Sequence, residues 1–537
     1  MRSLPVVAAP WFLLSLAAIT TFACGNEGAG ADDSSATGGG TATGGNSNCT
    51  GDDCRGEDGG GAPPDCVAGS DDCDPDPNPP TCGPDSSEGK PCPLPWIHQE
   101  GAYWVDEDGE RVNLRGTNVG NWLQLEFWMM NQNMNIGATN IADQCTLEGA
   151  LTGKFGFAEK ERLMGVFRDS WITERDWDQM QALGLNVVRI PFMYSLLEDD
   201  QNHSTLRADA WKYLDWAIDE AEERGMYTIL DLHGAAGSQG WEHHSGCAGK
   251  NELWGSTDNR DRTKWLWAEI AKRYKDRSAV LAHGLLNEPW GTDAGTLAAF
   301  SWELFDVVRS EDPNHVIVLP GHNSGGIDSY GNPNDRPNSE NVAFEMHFYP
   351  GFWGWRENDP HITVHSEWLH CSTAGTGETC AWRDRILGLE TAFLVGEFQP
   401  WTSTSWAGGQ LTRKTYDIYN MYGWAGTSWA YKTVSFGGSN GNADSGWGWG
   451  MVTNSNSGGT FSSIDLEDAS AEQIESYFEG FAEQTLVAHP GLLEWMAYEP
   501  RVGERIEAEN FTSHEGVRME VTTDTGGGFN ASNIAPG

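Results

Sequence analysis

Two glutamates that lie 109 positions apart each end a short apolar run, a pattern typical of a buried strand. Glu288 follows one such run and stands directly before Pro289, and Glu397 closes the run that begins at Phe393. Cleavage of a glycosidic bond with retention of configuration needs two carboxyl groups about 5 Å apart, one as proton donor and one as nucleophile. The pair predicts this chemistry if the fold brings the two carboxyl groups to one place.

Alternating strands and helices are predicted for residues 96–500, and they define the catalytic segment. Eight strand–helix units in a segment of this size predict an α/β fold, the (β/α)8 TIM barrel. A doubly wound sheet is the alternative, but polar residues stand at the end of nearly every strand, as they do at the rim of a barrel. The predicted strands are 112–116, 186–191, 227–233, the run into 287–288, 315–320, 342–349, 392–397 and 424–431, and the longest predicted helices are 157–183, 206–224 and 263–274.

Polar and aromatic side chains at these strand ends form the candidate site. Because the carboxyl ends of the parallel strands of a barrel meet at one rim, we expect these side chains to lie close together. They are Arg189, His233, Asn287, Glu288, His347, Tyr349, Glu397 and Trp429.

The same set, in this order, resembles glycoside hydrolase family 5 over residues 96–500. The segments 115–126 and 231–239 are similar to the exo-β-1,3-glucanase branch of that family. The chain differs from this branch at Asn121, where the branch has glycine, and at Phe398, where tryptophan is common. The resemblance implies a retaining β-glycosidase that hydrolyses a β-glucan, with glucan 1,3-β-glucosidase as the favoured activity.

The resemblance also implies a role for each site residue. Glu288 is expected to be the proton donor and Glu397 the nucleophile, which Arg189 and the Tyr349 hydroxyl keep ionised and oriented. Asn287 is expected to bind the sugar 2-hydroxyl, a contact that strengthens in the transition state. The remaining substrate-binding side chains that the resemblance implies are Glu126, His233, His347 and Trp429.

Two other readings stay open. An endo-β-1,4-glucanase or a mannanase would use the same scaffold, and a noncatalytic carbohydrate-binding protein could retain the fold. The paired carboxylates argue against the second reading, because binding alone does not need them. We expect no cofactor and no metal. A zinc site at His243, His244 and Cys247 lacks helical spacing and a well-placed carboxylate.

The chain of 537 residues is strongly acidic, with 33 basic and 78 acidic residues and a formal net charge of −45. Such a surface repels phosphate backbones, so we expect no nucleic-acid partner. An uncharged polysaccharide is the expected partner, and the 26 tryptophans supply rings that can stack on sugars. We expect a monomer.

The N-terminus has the pattern of an export signal. Arg2 precedes an apolar run over residues 6–23, which predicts a signal peptide over 1–24. Residues 21–24 resemble a bacterial lipoprotein cleavage box. Lipid attachment at Cys24, ordinary cleavage and an uncleaved anchor all stay open. Each of them places the rest of the chain outside the cytoplasm, either secreted or on the cell surface, for example as an outer-membrane lipoprotein.

Residues 25–95 are rich in Gly, Ser, Asp and Pro and contain almost nothing that could form a core. This composition predicts a disordered linker. An even number of cysteines outside the cytoplasm suggests local disulfides, whose pairing the sequence does not determine. The six cysteines are Cys49, Cys54, Cys66, Cys73, Cys82 and Cys92.

Four further cysteines fall in the barrel segment. Cys371 and Cys380 bracket a short loop that a disulfide between them can close. Cys145 follows the first predicted strand and Cys247 the third, so both lie in loops that leave the same face of a barrel. A bridge between them would stiffen the rim, and free thiols are the alternative.

Two inserts and a short C-terminal segment complete the prediction. The inserts, 131–156 and 240–256, leave the catalytic face and are expected to wall off one end of the cleft, which would admit only chain ends. Residues 504–537 resemble the opening of a family 6 carbohydrate-binding module, which is a β-sandwich. The segment is too short for a complete sandwich, so it predicts a truncated module or, alternatively, a disordered tail.

Overall fold

The computed structural model describes nine segments of the chain, and every structural statement below refers to them. They are residues 92–132, 140–350, 360–369, 379–399, 406–435, 449–488, 491–497, 518–521 and 529–532. The chain divides into two compact units, Met1–Pro77 and Asn78–Gly537, and the described residues all belong to the second. The predicted signal peptide, nearly all of the predicted linker and most of the predicted C-terminal module lie outside the described residues.

Eight parallel strands close into a barrel, which confirms the predicted (β/α)8 fold. A short antiparallel hairpin precedes it, formed by β1 (His98–Glu100) and β2 (Tyr103–Val105). The barrel strands are β3 (Arg115–Asn118), β4 (Val187–Met193), β5 (Tyr227–Gly234), β6 (Val280–Gly284), β7 (Val316–Pro320), β8 (Val342–Phe348), β9 (Ala392–Phe398) and β10 (Ala425–Ser428). Each strand pairs with the next one in the sequence, and β10 closes the barrel on β3.

Helices connect the barrel strands and pack on the outside of the barrel. Side-chain caps define several helix starts, because Asp143, Ser256 and Asp293 each accept a hydrogen bond from the first turn of the helix that follows. The helices are α1 (Gln144–Phe155), α2 (Phe157–Trp171), α3 (Glu174–Ala182), α4 (Lys212–Glu223), α5 (Thr257–Tyr274), α6 (Ala294–Glu311), α7 (Pro360–Leu369), α8 (Thr379–Leu389), α9 (Trp406–Met421), α10 (Ala471–Glu479) and α11 (Leu492–Met496).

The inside of the barrel changes from apolar to charged along the strands. Successive side chains of a strand point to opposite faces, so every second residue enters the barrel. In β4, Val187 belongs to the apolar layer at the lower end, and Arg189 comes next on the same face. In β8, Ala343 is followed in the same way by Glu345. Trp104 of the hairpin packs in the apolar layer and donates a hydrogen bond from its indole N–H to the Phe393 carbonyl, 3.0 Å away.

One irregularity in the barrel concerns Glu397. Between β8 and β9 the register shifts, so that Met346 pairs with Val395 and His347 with Glu397. Gly396 is therefore an extra residue in β9, as in a β-bulge, and it reverses the alternation of the strand. A bulge re-aims the side chain that follows it, and here it directs Glu397 to the same side as His347.

Several predicted boundaries were wrong. The first barrel strand was predicted at 112–116 but spans Arg115–Asn118, and the predicted helix 157–183 is two helices. The break occurs because Thr173 and Asp176 form a capping box that starts α3. Arg189 was predicted to end its strand, but it is the third of seven residues in β4 and lies inside the barrel.

Small elements follow the barrel. A three-stranded sheet is built from β11 (Lys432–Thr433), β12 (Val452–Thr453) and β13 (Val487–Ala488). Within the predicted carbohydrate-binding segment, β14 (Arg518–Val521) and β15 (Phe529–Ser532) pair antiparallel. A β-sandwich module stays a prediction. Among the described residues, none of the helices combines the length and the apolar character needed to cross a membrane.

Candidate active site

The loop after β6 positions Glu288. This residue has a φ of +37°, a left-handed backbone conformation that is costly for a residue with a side chain and is held here by its surroundings. Nδ1 of His347 lies 2.7 Å from Oε1 of Glu288. Nε2 of His244 lies 3.2 Å from Oε2. Each oxygen of the Glu288 carboxylate thus has an imidazole beside it.

Glu397 lies next to Glu288, held by side chains from two other strands. The Tyr349 hydroxyl donates to Oε2 of Glu397 over 2.8 Å, and Nη1 of Arg189 donates to Oε1 over 3.3 Å. Nδ1 of His347 is 3.4 Å from Oε2. One carboxylate oxygen of Glu288, one of Glu397 and a ring nitrogen of His347 all lie within 4.8 Å of one another. The two glutamates that are 109 positions apart in the sequence therefore form one pair.

Arg189 is the central cation of the site and is fully buried. Its Nη2 lies 2.9 Å from Oδ1 of Asp231 and 3.0 Å from Oε1 of Glu345. It also donates from Nη1 to Asn118 and from Nη2 to Asn287, each over 2.9 Å. One guanidinium thus contacts three carboxylates and two amides. Its planar set of donors suits such an arrangement better than a lysine ammonium would.

His233 and Trp429 form a stacked pair at the edge of the site. Their rings are 5.3 Å apart with an interplanar angle of 12°. Nδ1 of His233 lies 2.7 Å from Oδ2 of Asp231, and its Nε2 lies 3.2 Å from the Asn287 amide nitrogen. Burial, with the charge of Arg189 as the next cause, holds the pKa of His233 well below its usual value. A neutral ring that donates from Nδ1 and accepts at Nε2 satisfies both contacts.

Glu126 lies at the other side of the site. Its Oε2 is 3.2 Å from Nε2 of His243 and accepts a hydrogen bond from the Trp128 indole. Trp128 packs edge-on against Trp449, with ring centroids 5.5 Å apart. Burial opposes ionisation of Glu126, but the hydrogen bond and charge of His243 outweigh it and lower the pKa of Glu126. An ionised carboxylate among aromatic rings is suited to bind sugar hydroxyls.

A cavity of about 230 Å³ opens beside the two glutamates. Glu288, His347 and Tyr349 line one part of it, and Trp290 and Asn323 another. A pocket of this kind, lined by carboxylates and aromatic rings, can hold a sugar next to Glu288.

The family model described as cellulase, glycosyl hydrolase family 5, matches residues 149–434, which is more than half of the chain. The chain belongs to glycoside hydrolase family 5. It is therefore a glycosidase, and the resemblance seen in the sequence is confirmed at the level of the family.

Relatives of this family 5 enzyme carry more than one activity in their names. A β-xylosidase from Phanerodontia chrysosporium is 28% identical over 372 residues, which cover 64% of this chain and 72% of the relative. A glucan 1,3-β-glucosidase from Blumeria graminis is 30% identical over 329 residues, which cover 58% and 70%. Among solved structures, the rutinosidase from Aspergillus niger is 17% identical with a TM-score of 0.44, and the match covers 60% of this chain and 90% of that chain.

Burial and neighbouring charges shift the pKa values of the two glutamates of the family 5 enzyme in opposite directions. Burial raises the pKa of Glu397 to about 8, and the charge of Glu288 adds to this, against the opposing effects of His347, Arg189 and Tyr349. Burial also opposes the ionisation of Glu288, but the charges of His244 and His347 lower its pKa to about 2. The two values belong to the pair, because like charges at this distance do not ionise independently. Each carboxylate thus opposes ionisation of the other, which favours a pair that shares one proton.

The groups around the pair differ in charge. Burial lowers the pKa of His347, but the charge of Glu397 and the hydrogen bonds to Glu288 and Glu345 raise it to about 10, so the ring is an imidazolium at neutral pH. Burial raises the pKa of Asp231 to about 6 against the charge of Arg189. The site contains several carboxylates, and the positive charges of His347 and Arg189 compensate their negative charge.

The nine residues predicted for the site divide into two groups around one centre. Glu288, Glu397, Arg189, His347 and Tyr349 form a continuous network of contacts. The others surround this network: Asn287 and His233 contact each other, Trp429 stacks on His233, and Glu126 lies beside His243. None of the nine lies away from the site, although their individual roles stay predictions.

Sequence reasoning missed four residues that hold the network together: Asn118, Asp231, His244 and Glu345. Two of them had a signal. Asp231 stands two positions before His233, and Glu345 two positions before His347, so each shares a strand face with a predicted site residue. His244 carried no such signal, because it comes from a loop.

The Cys145–Cys247 disulfide is present, as predicted, with the Cα atoms 5.0 Å apart. It excludes the zinc alternative at His243, His244 and Cys247, because a sulfur in a disulfide is not available as a thiolate ligand. Cys145 lies in α1 rather than in an irregular loop. Cys380 is disulfide-bonded as well, while Cys371, its predicted partner, lies outside the described residues.

Proposed function

We propose that this family 5 enzyme is a retaining β-glycosidase in which Glu397 is the nucleophile and Glu288 the proton donor. The observation that supports this most strongly is the distance within 4.8 Å between a carboxylate oxygen of each residue. Retaining enzymes hold their carboxyl groups about 5–5.5 Å apart, whereas inverting enzymes hold them about 6.5–9.5 Å apart to make room for a water. The observed separation favours retention.

The reaction proceeds in two displacements. Glu397 attacks the anomeric carbon while the bond to the leaving oxygen breaks and Glu288 gives that oxygen its proton. The result is a glycosyl ester on Glu397 and an ionised Glu288. Glu288 then takes a proton from water as the water oxygen attacks the same carbon, which releases the sugar and Glu397 and restores the proton on Glu288.

In this proposal the shared proton lies on Glu288 when substrate is bound. The charges of His244 and His347 favour the opposite distribution in the free site. Arg189 and Tyr349, however, donate to Glu397 and so favour its ionised form. His347 contacts both carboxylates and offers a path for the proton between them. Glu345 anchors the other nitrogen of His347, at 3.2 Å.

The substrate that we propose is a β-1,3-glucan attacked from its chain end. Several relatives are named glucan 1,3-β-glucosidase, and the segments 115–126 and 231–239 resemble that branch. The two inserts predicted to form a wall are joined by the Cys145–Cys247 bridge and place His243 against Glu126. A wall on this side of the cleft would leave room for only the terminal sugar.

A β-xyloside is a second candidate, because a relative covering 64% of the chain is named β-xylosidase. A xylosyl unit lacks the hydroxymethyl group of glucose, so a site crowded by Trp128 and Glu126 would also accept it. An endo-β-1,4-glucanase or a mannanase needs an open cleft. A noncatalytic binding protein has no use for the shared proton between Glu288 and Glu397.

The size of the products formed early in the reaction tests the proposed substrate. The enzyme should be incubated with laminarin, lichenan, carboxymethyl cellulose, mannan and xylan, and the first products separated by length. We expect glucose from laminarin with little loss of viscosity. A ladder of oligosaccharides from a β-1,4-linked polymer, with laminarin untouched, would contradict the proposed substrate and leave the family and the catalytic pair unaffected.

We further propose that the enzyme is exported and acts outside the cytoplasm. The N-terminal signal pattern and the even number of linker cysteines support this. Labelling of the mature protein with a radioactive fatty acid, compared between wild type and Cys24→Ser, tests lipid attachment.

We also propose that the C-terminal segment is the beginning of a carbohydrate-binding module. This would be supported if a longer chain binds insoluble glucan and loses that binding when the segment is deleted.

A further inference from the structure

The loop that follows β5 is fastened to the start of α1 by three contacts. Cys247 is disulfide-bonded to Cys145. The Cys145 backbone N–H donates to the Gly246 carbonyl over 2.9 Å, and the Ala248 N–H donates to the Asp143 carboxylate over 2.7 Å. These contacts immobilise the short 3-10 helix His243–Ser245 that precedes them.

Neighbouring histidines of this 3-10 helix contact two different carboxylates. Nε2 of His243 lies 3.2 Å from Glu126, and Nε2 of His244 lies 3.2 Å from Glu288. The loop thus brings one imidazole to the proposed sugar-binding carboxylate and the next one to the proposed proton donor. The two residues can be changed separately within the same backbone.

The contact between His244 and Glu288 is close but is not a directed hydrogen bond. Nε2 of His244 is buried and has no hydrogen-bond partner, although Oε2 of Glu288 is 3.2 Å away. Oε1 of Glu288 is already bonded to His347. Among the described residues no hydrogen bond is made to Oε2, so Oε2 is the oxygen available to give a proton to substrate. His244 is beside that oxygen.

We propose that His244 is a positioning residue for the general acid, whose imidazole beside Oε2 loosens the hold of Glu288 on the proton that passes to the leaving oxygen. The inference rests on the proposed function of Glu288. It adds His244 to the nine site residues that were predicted from the sequence. It also means that the disulfide-bonded loop after β5 contributes to catalysis as well as to the shape of the cleft.

Other charged and titratable groups also face Glu288 and act on the same proton. They come from β4, β5, β8 and β9 and from the residue that follows β8, and they are Arg189, Asp231, His233, His347, Tyr349 and Glu397. None of these is changed by a substitution at His244, so a difference between wild type and variant isolates the contribution of this imidazole.

Removal of the His244 imidazole should make Glu288 hold its proton more tightly. The alkaline limb of the kcat/KM profile should then move to higher pH, by on the order of one unit for the loss of a polar group this close. A weaker acid assists poor leaving groups less well. We therefore expect kcat to fall several-fold (roughly 3- to 10-fold) for a leaving phenol of high pKa and to change little for one of low pKa.

The experiment compares His244→Asn with the matched control His243→Asn, using an aryl β-glycoside that the wild type hydrolyses. For His243→Asn we expect a raised KM and an alkaline limb at the wild-type pH, because this residue contacts Glu126. The double variant Cys145→Ser/Cys247→Ser should show both effects. An alkaline limb in His244→Asn that coincides with that of the wild type, or that moves equally in His243→Asn, would overturn the inference.

Three controls separate a role of His244 from misfolding of the variant and from the role of Glu288. Thermal unfolding of each variant shows whether it is folded, and His244→Gln is a second variant that removes the imidazole with a side chain of similar reach. Glu288→Gln tests the proposed function itself. If Glu288→Gln loses the alkaline limb while His244→Asn and His244→Gln keep it unchanged, the role of His244 is refuted and that of Glu288 stands. If Glu288→Gln keeps the wild-type profile, the proposed function fails first.

Discussion

Gly396 lies so close to Glu345 that a Cβ at position 396 would be 1.7 Å from Oε1 of the glutamate. Glu345 in turn contacts both Arg189 and His347, which also contact Glu397. The glycine before the proposed nucleophile is therefore required by packing. It also provides the extra residue that turns Glu397 toward its partners.

We predict that Gly396→Ala lowers kcat by about 100-fold, because the methyl group must displace Glu345 and with it Arg189 and His347. Steady-state kinetics with a fixed aryl glycoside measures this. Gly149→Ala is the control, since nothing lies within 4 Å of a Cβ at this position in α1, and it should leave kcat unchanged. A Gly396→Ala enzyme with wild-type kcat would show that the Glu345 contact is dispensable.

Replacement of the two glutamates should give different defects. Glu397→Gln removes the nucleophile but keeps its shape, so turnover should be almost abolished while sugar binding, measured by calorimetry, persists. Glu288→Ala should slow poor leaving groups most, and azide should rescue it in part as a β-glycosyl azide. A Glu397→Gln enzyme that retains a tenth of the activity would contradict the assignment of the nucleophile.

The shared proton predicts the pH dependence. Activity needs the pair to hold one proton, which is lost as the pH rises through the upper pKa of about 8, so kcat/KM should fall on the alkaline side near this value. The fall should be absent in Glu288→Gln with a leaving group that needs no acid. A wild-type rate that keeps rising above pH 9 would mean that no proton of the pair is needed.

The barrel and eight of the nine site residues were predicted from local patterns in the sequence, whereas Glu126 was predicted only from the resemblance to the family. Apolar runs that end in a polar residue mark the strands, and parallel strands place their carboxyl ends at one rim. Asn287, Glu288 and Glu397 could therefore be assigned to the site before the strand boundaries were known. The predicted bounds of the first strand, 112–116, were wrong by a few residues. This error did not affect the predicted site, because the strand still ends at the same rim of the barrel.

The supporting contacts could not be predicted in the same way. Whether Arg189 lies at a strand end or inside the barrel depends on where the strand begins, and the three carboxylates around it come from three other strands. A strand prediction assumes that successive side chains alternate between the two faces of the sheet. The bulge at Gly396 reverses this alternation in β9. His244 reaches Glu288 only because a disulfide and two backbone hydrogen bonds fix its loop. These are tertiary relations without a local signature.

Trapping of the covalent intermediate tests directly whether Glu397 is the nucleophile. In a 2-deoxy-2-fluoro-β-glucosyl fluoride, the anomeric fluoride is a good leaving group, whereas the fluorine at carbon 2 slows both displacements. A glycosyl ester should therefore accumulate on the nucleophile. Mass spectrometry of the intact protein, followed by peptide mapping, should find one fluoroglucosyl group attached to Glu397. An adduct on Glu288, or hydrolysis that begins with an α-configured product and leaves no adduct, would contradict the account.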